Sequence, residues 1–471
     1  MTEKESWHFL KHSAFYGIGR ASVSLSGLIL LPIYTHFLSP EELGILELCS
    51  IIIALAAIFS TCSLSRSLLE RCLHETSESG RSLWLRRTLT LTFLIASGVS
   101  AFFLLGRPFW SSWEGMYPVW VLSLVIACVL WVESFLPIPR NYFRAKDESG
   151  RFAMLNFVQG ILTVTLITLT VYFSSQKRVE GILWARAGAV ALTLGLAAGM
   201  TYKSLKGSYN LSRANTLFRF ALPLIPTTVA LLILDGSDRL FLTYFHSLEE
   251  VGIYGLGYKL GMAVLIPFTV TQLGLPQMLV AWNREESLKP QGKKFIGLYT
   301  CVIGGMALIL ILFSQEIVRL VAPPEFARAS FVVGPVVLGS VALGSYSLLG
   351  SGVYVTGSTR PLMLVTGSAA LINICLNFWA VPRWGGVGAA WTTMVAYAWM
   401  AFFVYWKVAR KTPLQIQTLN IVKWILPVIA LTAVMAWQPS MFDTMPWKVG
   451  LFGIYLLGAF LQQMHYAQKS K

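Results

Sequence analysis

Long apolar stretches, separated by short charged or Pro/Gly-containing segments, run along the whole chain. Most of them approach or exceed the roughly 20 residues that an α-helix needs to cross the hydrocarbon core of a bilayer. The pattern therefore predicts an all-α polytopic membrane protein with about fourteen transmembrane helices. The predicted spans lie near residues 14–38, 44–65, 88–106, 117–138, 152–174, 181–201, 220–245, 252–280, 295–313, 331–356, 362–381, 386–406, 420–437 and 447–466.

The composition agrees with this class of protein. Of the 471 residues, 55% are hydrophobic and only 13% are charged, whereas about a quarter of the residues in a soluble domain are charged. These values exclude a disordered chain and an ordinary cytosolic enzyme, because a soluble core cannot bury so much apolar surface. The six cysteines form no CxxC motif and no Cys/His cluster with metal-ligand spacing. The sequence therefore predicts neither a metal site nor a cofactor.

Lysine and arginine are distributed unevenly among the predicted loops. With the N-terminus placed inside, 26 of the 37 basic residues fall on the inner side, seven on the outer side and four within spans. Because cytoplasmic loops carry an excess of basic residues, we predict that both termini are cytoplasmic. The net charge of +15 then reflects this topology rather than a nucleic-acid partner, since no basic cluster is interleaved with aromatic residues.

The sequence contains an internal repeat. Phe37–Ile45 (FLSPEELGI) and Phe245–Ile253 (FHSLEEVGI) are identical at six of nine positions, at an offset of 208 residues. Chance matching of a common turn is the alternative explanation. A repeat predicts two parallel six-helix lobes, an architecture in which transporters bind substrate near the membrane midplane. The predicted divisions are an N-terminal lobe, a C-terminal lobe and two extra C-terminal helices, at residues 1–215, 216–412 and 413–471.

Several ionisable residues lie inside predicted spans, where a charge is costly and usually faces a cavity or a partner. Arg20 lies in the first span, Arg239 in the seventh and Lys259 in the eighth. Because a guanidinium can bond two phosphate oxygens, we interpret these three as candidates for a cationic cavity that binds an anionic headgroup. The candidates for ion coupling or for charge partners are Glu47, Asp235 and Asp238.

A structural interpretation of the same charges also stays open. Asp235 and Arg239 are four residues apart and share a helix face, so they can form a self-satisfied pair. Arg20 and Lys259 can extend their side chains toward the membrane interfaces. Asn373 and Asn377, also four apart, are more typical of hydrogen bonding between helices than of ligand binding.

Three parts of the sequence resemble a known family. LPIYTHFLSPEELGILEL (31–48) and the segment 218–260, which contains LILDGSDRLFLTYFHSLEEVGIYGLGYKL, resemble the first, seventh and eighth spans of Wzx-type oligosaccharide flippases. VTGSTRP (355–361) and LINICLNFWAVPRWGGVGAAWTTMVAY (371–397) resemble a later stretch of the same proteins. These flippases belong to the multidrug/oligosaccharidyl-lipid/polysaccharide (MOP) exporter superfamily.

The resemblance implies fourteen helices, two six-helix lobes and alternating access in a bacterial inner membrane. It implies a flippase, not an enzyme, that moves an undecaprenyl-diphosphate-linked repeat unit of O-antigen, capsule or exopolysaccharide from the cytoplasmic to the periplasmic leaflet. A polysaccharide polymerase and chain-length proteins are the implied partners. A cationic cavity is also implied, and Arg20, Arg239 and Lys259 are the matching positions in this sequence.

Other functions remain as alternatives. A multidrug exporter and a lipid II flippase of the same superfamily share the predicted helix plan. A membrane-embedded polysaccharide polymerase or ligase is a candidate of another class, but the sequence has no large outer loop and neither an HExxH nor a GxSxG motif. An ATP-driven pump is excluded because the GxxxxGK[ST] phosphate-binding loop is absent.

Overall fold

A computed structural model describes most of the chain. The described residues are 3–105, 119–174, 178–271 apart from 208, 210 and 212, 289–350, 360–407, 447–455 and 458. The helices, in chain order, are α1 (Glu3–Phe37), α2 (Pro40–Thr61), α3 (Leu64–His74), α4 (Glu78–Leu105), α5 (Val119–Glu133), α6 (Pro137–Ala145), α7 (Ser149–Phe173), α8 (Arg178–Leu205), α9 (Ala214–Ala221), α10 (Ile225–Phe245), α11 (Leu248–Met262), α12 (Ile266–Thr271), α13 (Lys289–Leu312), α14 (Ser314–Val321), α15 (Ser330–Gly350) and α16 (Arg360–Lys407). Three short 3₁₀ turns lie at Leu222–Leu224, Ala263–Leu265 and Pro324–Ala329.

The described helices confirm the prediction of an all-helical, multi-pass membrane protein. Within the described ranges, nine helices are long and apolar enough to cross a membrane. The number is ten if α13 and α14, which meet at a bend of 72°, form one span. A helix satisfies its own backbone hydrogen bonds, which is why apolar sequences of this length adopt it in a bilayer.

One long helix covers two of the predicted spans. The run α16 contains the predicted spans 362–381 and 386–406, and it is broken at Gly385, where φ is +53° and ψ is −135°. Glycine adopts a positive φ without steric cost, so it permits the break. Pro382, three residues earlier, lacks the N–H that would continue the helical ladder. The two predicted spans are thus two helical segments on either side of a kink.

Helix α4 begins ten residues before the predicted third span. Its first turn is capped by Ser77, whose Oγ accepts a hydrogen bond from the N–H of Gly80 at 3.1 Å. A serine at this position satisfies one of the unpaired donors at a helix start. The helix therefore starts at its cap in a polar segment, whereas the sequence pattern marks only the apolar part.

Short amphipathic helices were not predicted as separate elements. Helix α3 packs against α6 and α9, and Ser67 Oγ donates a hydrogen bond to the carbonyl of Leu217 at 2.9 Å. Leu64, Leu68 and Tyr142 are fully buried in the hydrophobic cluster that these helices share. Helix α3 is too short to cross a bilayer, so a search for long apolar stretches passes over it, whereas α6 and α9 are parts of the candidate spans Leu122–Ala145 and Ala214–Phe245.

The chain divides into two compact units. Unit 1 consists of residues Met1–Leu38 and Ile45–Ile233, and unit 2 of Ser39–Gly44 and Leu234–Lys471. In unit 1, α1 packs along α7, α7 packs along α8, and α5 contacts both α4 and α8. In unit 2, α15 packs along α16 and contacts α11.

Part of the C-terminal region is described. The predicted span 420–437 lies outside the described residues, and the span 447–466 is described as helix over 447–455. Tyr455 donates a hydrogen bond from its hydroxyl to the carbonyl of Cys301 at 2.8 Å and packs on Leu308 and Leu312. Lys448 forms an ion pair with Glu316 at 2.5 Å. These contacts attach the segment to α13 and α14.

Candidate functional site

Unit 2 contains a buried carboxylate, Asp238, near the middle of α10. Its side chain is fully buried. One oxygen, Oδ2, accepts hydrogen bonds from the Tyr254 hydroxyl at 2.5 Å and from Thr393 Oγ1 at 2.7 Å. The other, Oδ1, accepts one from Asn377 Nδ2 at 2.9 Å. Burying a charge costs several kcal/mol unless such partners replace water, so these three donors make the position tenable.

Two asparagines extend this network between α10 and α16. Asn373 Oδ1 accepts hydrogen bonds from Ser237 Oγ at 2.9 Å and from Asn377 Nδ2 at 3.1 Å. Thr392 donates from Oγ1 to Asn377 Oδ1. Both asparagines are fully buried, and they bond across helices as their spacing predicted.

Arg239 lies beside Asp238 and is held by aromatic rings. Its guanidinium carbon is 4.4 Å from the ring centre of Tyr258 and 5.5 Å from that of Tyr254. Its Nη1 donates a hydrogen bond to the main-chain carbonyl of Asp235 at 2.6 Å. The Tyr258 hydroxyl donates to Asp235 Oδ1 at 2.7 Å. A cation over aromatic faces inside a protein gains electrostatic stabilisation from the rings.

The hydroxyl-bearing members of this centre were missed by sequence reasoning: Ser237, Thr392, Thr393, Tyr254 and Tyr258. Tyr254 and Tyr258 are four residues apart in YGLGYK, so they lie on one face of α11. That spacing predicts that the two tyrosines share a helix face. It does not predict that they contact Asp235, Asp238 or Arg239, because aromatic residues are common in membrane helices. Lys259, the next residue along α11, is half-buried.

Unit 1 has a half-buried ion pair rather than an isolated carboxylate. Glu133 on α5 accepts two hydrogen bonds from Arg186 on α8, at 2.5 Å from Nε and 2.9 Å from Nη2. This bidentate arrangement is the strongest geometry for such a pair. Arg186 Nη1 also lies 3.5 Å from Ser50 Oγ on α2. Glu47, only 5% exposed on α2, belongs to the same region, since it and Arg186 both act electrostatically on Tyr34.

The two polar centres occupy repeat-related positions. Ser50 in unit 1 and Tyr258 in unit 2 are separated by 208 residues, and Arg186 and Thr393 by 207. Two members of the unit 1 centre, Ser50 and Arg186, therefore have counterparts in the network of unit 2, whereas Glu133 corresponds to a position outside it. The chemistry differs, because the ion pair of unit 1 is internally neutral, whereas neutral groups supply all three of the hydrogen bonds described above for Asp238.

Arg20 of unit 1 lies on α1 and is exposed. It interacts electrostatically with Arg144 and Arg140, which are one turn apart on α6. The sequence placed those two arginines at an inner helix end and did not connect them with Arg20, because about 120 residues separate them. The structure thus brings Arg20 into a cluster of basic side chains within unit 1.

No metal-binding cluster of three or more His, Cys, Asp or Glu side chains occurs in the part of the chain that the structure describes. The groups that contact Asp238 are two hydroxyls, of Tyr254 and Thr393, and the amide nitrogen of Asn377. Asp238 is thus a single carboxylate whose described hydrogen-bond partners are all neutral side chains.

Sequence comparison identifies a family and one distant relative. The sequence model of the family described as "Polysaccharide biosynthesis protein" matches residues 9–269, more than half of the chain. The uncharacterized membrane protein MJ1068 of Methanocaldococcus jannaschii is 26% identical over 260 residues, which are 52% of this chain and 50% of that protein. The chain thus spans about half the length of the curated relative that it matches.

Solved structures of transporters share the fold over most of the chain. Lipid II flippase MurJ in an inward closed conformation has a TM-score of 0.64 at 13% identity, covering 98% of this chain and 97% of MurJ. The Vibrio cholerae MATE transporter VcmN has a TM-score of 0.60 at 15% identity, covering 86% and 97%. An outward-facing multidrug resistance MATE transporter of the MOP superfamily has a TM-score of 0.57 at 14% identity, covering 86% and 96%. At these identities the likeness establishes the fold alone.

Proposed function

Because this chain belongs to the polysaccharide biosynthesis protein family and has the fold of MOP transporters, we propose that it is a lipid-linked oligosaccharide flippase. The family resemblance seen in the sequence is confirmed by the family match, and the family is one of transporters rather than enzymes. The proposed substrate is an undecaprenyl-diphosphate-linked repeat unit of O-antigen, capsule or exopolysaccharide. The proposed direction is from the cytoplasmic to the periplasmic leaflet of a bacterial inner membrane, by alternating access.

The observation that carries this proposal is an exposed arginine within an apolar helix. Arg20 lies on α1, is exposed as a residue, and interacts electrostatically with two further arginines. A cation in a membrane helix usually faces a polar path, and a guanidinium fork matches the oxygens of a phosphate. A diphosphate headgroup is the anionic part of the proposed substrate. A transporter of cationic drugs would gain nothing from such a group.

Lys259 and Arg239 are the other two proposed cations of the substrate path. Lys259 is half-buried, and its ammonium acts nearly as a point charge. Arg239 is only 6% exposed between two tyrosine rings, so it would meet a headgroup only after those contacts open. In the conformation described, Arg20 is therefore the best placed of the three.

Ion coupling is assigned to the acidic residues. Asp238, together with Asp235 nearby, is the proposed coupling centre, because none of the hydrogen bonds described above for Asp238 comes from a cationic side chain. Glu47 is the corresponding candidate in unit 1. A proton or a monovalent cation bound at Asp238 would cancel its charge and weaken the hydrogen bonds that join α10, α11 and α16.

The full architecture is proposed as fourteen helices, with lobes at 1–215 and 216–412, two extra helices at 413–471, and both termini in the cytoplasm.

In a cysteine-free variant, Glu41→Cys should react with a membrane-impermeant maleimide added outside spheroplasts. Lys206→Cys, also exposed, should react only after the membrane is permeabilised. The 26-to-7 excess of basic residues on the predicted inner side is the reason. The reverse labelling pattern would contradict the topology.

Deletion of the gene in its native host tests the function. Lipid extracts should accumulate an undecaprenyl-diphosphate-linked oligosaccharide, detected by mass spectrometry, and surface polysaccharide should be lost. A plasmid copy of the wild-type gene should reverse both effects. An Arg20→Ala copy at equal membrane abundance should not reverse them. Accumulation of lipid II would instead support a lipid II flippase. Sensitivity to cationic dyes with no accumulated lipid-linked sugar would support a drug exporter.

A further inference from the structure

The segment of unit 1 that joins α8 to α10 is basic throughout. From residue 181 to residue 234 the sequence contains neither Asp nor Glu. The stretch 203–219 within it contains Lys203, Lys206, Arg213 and Arg219, and all four residues are exposed. Such a run of exposed basic residues without acids favours an anionic partner.

This segment lies where two candidate membrane spans meet. One candidate span is Arg178–Leu205, with 28 residues, and the next is Ala214–Phe245, with 32 residues. At 1.5 Å per residue these helices are about 42 Å and about 48 Å long, whereas the hydrocarbon core is about 30 Å thick. Because charged side chains are costly in hydrocarbon, the basic ends of the two spans lie at the level of the lipid headgroups.

Contacts within unit 1 hold the backbone of this segment in place. Arg86 on α4 donates hydrogen bonds from Nη1 to the carbonyls of Ser204 and Lys206, both at 2.8 Å. On α9, Leu217 and Ala221 are buried in the hydrophobic cluster that α9 shares with α3 and α6, whereas Arg219 between them is exposed. The exposed basic residues are therefore presented on a fixed backbone.

Exposed aromatic and aliphatic side chains accompany the basic residues. Tyr202 and Tyr209 are 60% and 54% exposed, and Phe220 and Leu222 are exposed as well. The sequence did not single out this stretch, but the structure places Lys206 Nζ 4.5 Å from the ring centre of Tyr202. Tyrosine rings beside cations are typical of the headgroup level of a bilayer, where the ring contacts acyl chains and the cation stays in the polar layer. The apolar side chains fit a lipid better than a soluble anion.

Two arginines of α4 add positive charge beneath the segment. A Cβ added to Gly207 would lie 3.1 Å from Cζ of Arg86, so the chain passes close to that guanidinium. Arg213 and Arg86 both act electrostatically on Arg87. Like charges repel at such short range, and an anionic partner relieves this repulsion.

Nearby carboxylates of unit 1 pair with other cations. Glu78 on α4 pairs with Lys146 at 2.9 Å and with Arg81 at 3.5 Å. Glu70 on α3 pairs with Arg71 at 3.1 Å. Among the described residues, no ion pair joins a carboxylate to any of the four exposed basic residues of 203–219. Their charge is therefore not neutralised within the described parts of the chain.

We propose that Lys203, Lys206, Arg213 and Arg219 form a surface that binds the phosphate headgroups of anionic phospholipids, such as phosphatidylglycerol. The ammonium of Lys206 beside Tyr202 acts nearly as a point charge, and the guanidinium of Arg213 can bond two phosphate oxygens. In the proposed topology these lipids belong to the cytoplasmic leaflet. The surface goes beyond the proposed function, because it binds lipids of the surrounding bilayer and does not depend on the transported substrate.

Native mass spectrometry of the purified full chain in detergent tests the surface, with phosphatidylglycerol and phosphatidylcholine of equal chain length as the probes. The wild type should bind phosphatidylglycerol at least about fivefold more tightly. Loss of one basic side chain near an anionic headgroup should weaken binding about fivefold, so Lys206→Gln/Arg213→Gln should weaken phosphatidylglycerol binding about 25-fold. Lys206→Arg/Arg213→Lys keeps both charges and should stay within about threefold of the wild type.

The matched control removes two exposed basic residues of unit 2. Arg319→Gln/Arg383→Gln loses the same charge as the test variant, and its affinity for phosphatidylglycerol should stay within about twofold of the wild type. Thermal unfolding identifies any variant that is misfolded. If the double variant of the surface is misfolded, Lys206→Gln and Arg213→Gln are measured singly, and each should weaken binding about fivefold.

Three results would overturn the proposal. Equal binding of phosphatidylglycerol and phosphatidylcholine by the wild type would show that the surface does not select an anionic lipid. An equal affinity of the Lys206→Gln/Arg213→Gln variant and the control variant for phosphatidylglycerol would show that the lipid binds elsewhere. Displacement of phosphatidylglycerol by inorganic phosphate at equal concentration would show a site for the free anion. Loss of phosphatidylglycerol binding in the test variant alone would support the surface, whether or not the deletion host accumulates lipid-linked oligosaccharide.

Discussion

Replacing Asp238 by leucine should cause a large loss of stability in unit 2. The variant Asp238→Leu leaves the donors of Tyr254, Thr393 and Asn377 buried without their acceptor. Each unsatisfied buried donor costs about 1–3 kcal/mol, so three of them should cost roughly 3–9 kcal/mol. The unfolding temperature of purified protein in detergent should fall sharply. Ser237→Ala, which removes one hydrogen bond to Asn373, is the control and should cost about 1 kcal/mol.

Asp238→Asn separates a structural role from ion coupling. The amide keeps one acceptor oxygen and nearly the same volume, and the hydroxyls of Tyr254 and Thr393 can reorient, so the fold should survive with a loss of about 1–2 kcal/mol. Its charge no longer depends on a proton or a cation. We therefore expect folded protein that does not transport. Wild-type transport by Asp238→Asn, at equal membrane abundance, would show that the carboxylate is only structural.

The second large effect is expected at two glycines of the repeated turn. A Cβ on Gly44 would lie 1.9 Å from the carbonyl oxygen of Leu248, and one on Gly252 would lie 1.9 Å from that of Pro40. Real Cβ contacts are never this short, and the opposing atoms are backbone rather than movable side chains. Gly44→Ala or Gly252→Ala must therefore separate the starts of α2 and α11, at a cost of at least about 1–3 kcal/mol.

Another glycine of unit 2 provides the matched control. A Cβ on Gly367, in the interior of α16, has no atom within 4 Å, so Gly367→Ala should be neutral or stabilising, by up to about 1 kcal/mol through helix propensity. The readouts are the unfolding temperature in detergent and the amount of folded protein in membranes. Equal unfolding temperatures for Gly44→Ala, Gly252→Ala and Gly367→Ala would contradict the close contact.

The sequence predicted features that depend on neighbouring positions along the chain. Apolar length predicted the membrane helices, and the spacing of Asp235 and Arg239 predicted a shared face. The contact of Gly44 with Leu248 joins positions that the internal repeat relates, but the repeat alone does not show that the two turns touch. The prediction of a pair between Asp235 and Arg239 is refined by the structure, which shows a hydrogen bond to the main-chain carbonyl and aromatic contacts around the cation.

The features that could not be predicted join distant parts of the chain. Glu133 and Arg186 were both visible as charges in spans, but 53 residues separate them and only packing brings them together. The sequence predicted only that Arg140 and Arg144 lie at an inner helix end. The structure shows that both interact electrostatically with Arg20. The amphipathic helix α3 lies in a segment assigned to a loop, because its apolar face is narrow and its length is too short for a span.

The central claim is that this protein moves lipid-linked oligosaccharide across a bilayer, and reconstitution tests it most directly. The purified chain is placed in liposomes that contain the lipid-linked oligosaccharide from the deletion host, with a fluorescent group on its sugar. Dithionite outside the vesicles reduces only the groups in the outer leaflet. The account predicts that wild-type protein exposes the inner-leaflet sugars as well, so that nearly all fluorescence is lost, and that Arg20→Ala slows this loss. Protein-free vesicles should lose only the fluorescence of the outer leaflet. If vesicles with wild-type protein lose no more than these, whichever ion gradient is applied, the account is contradicted.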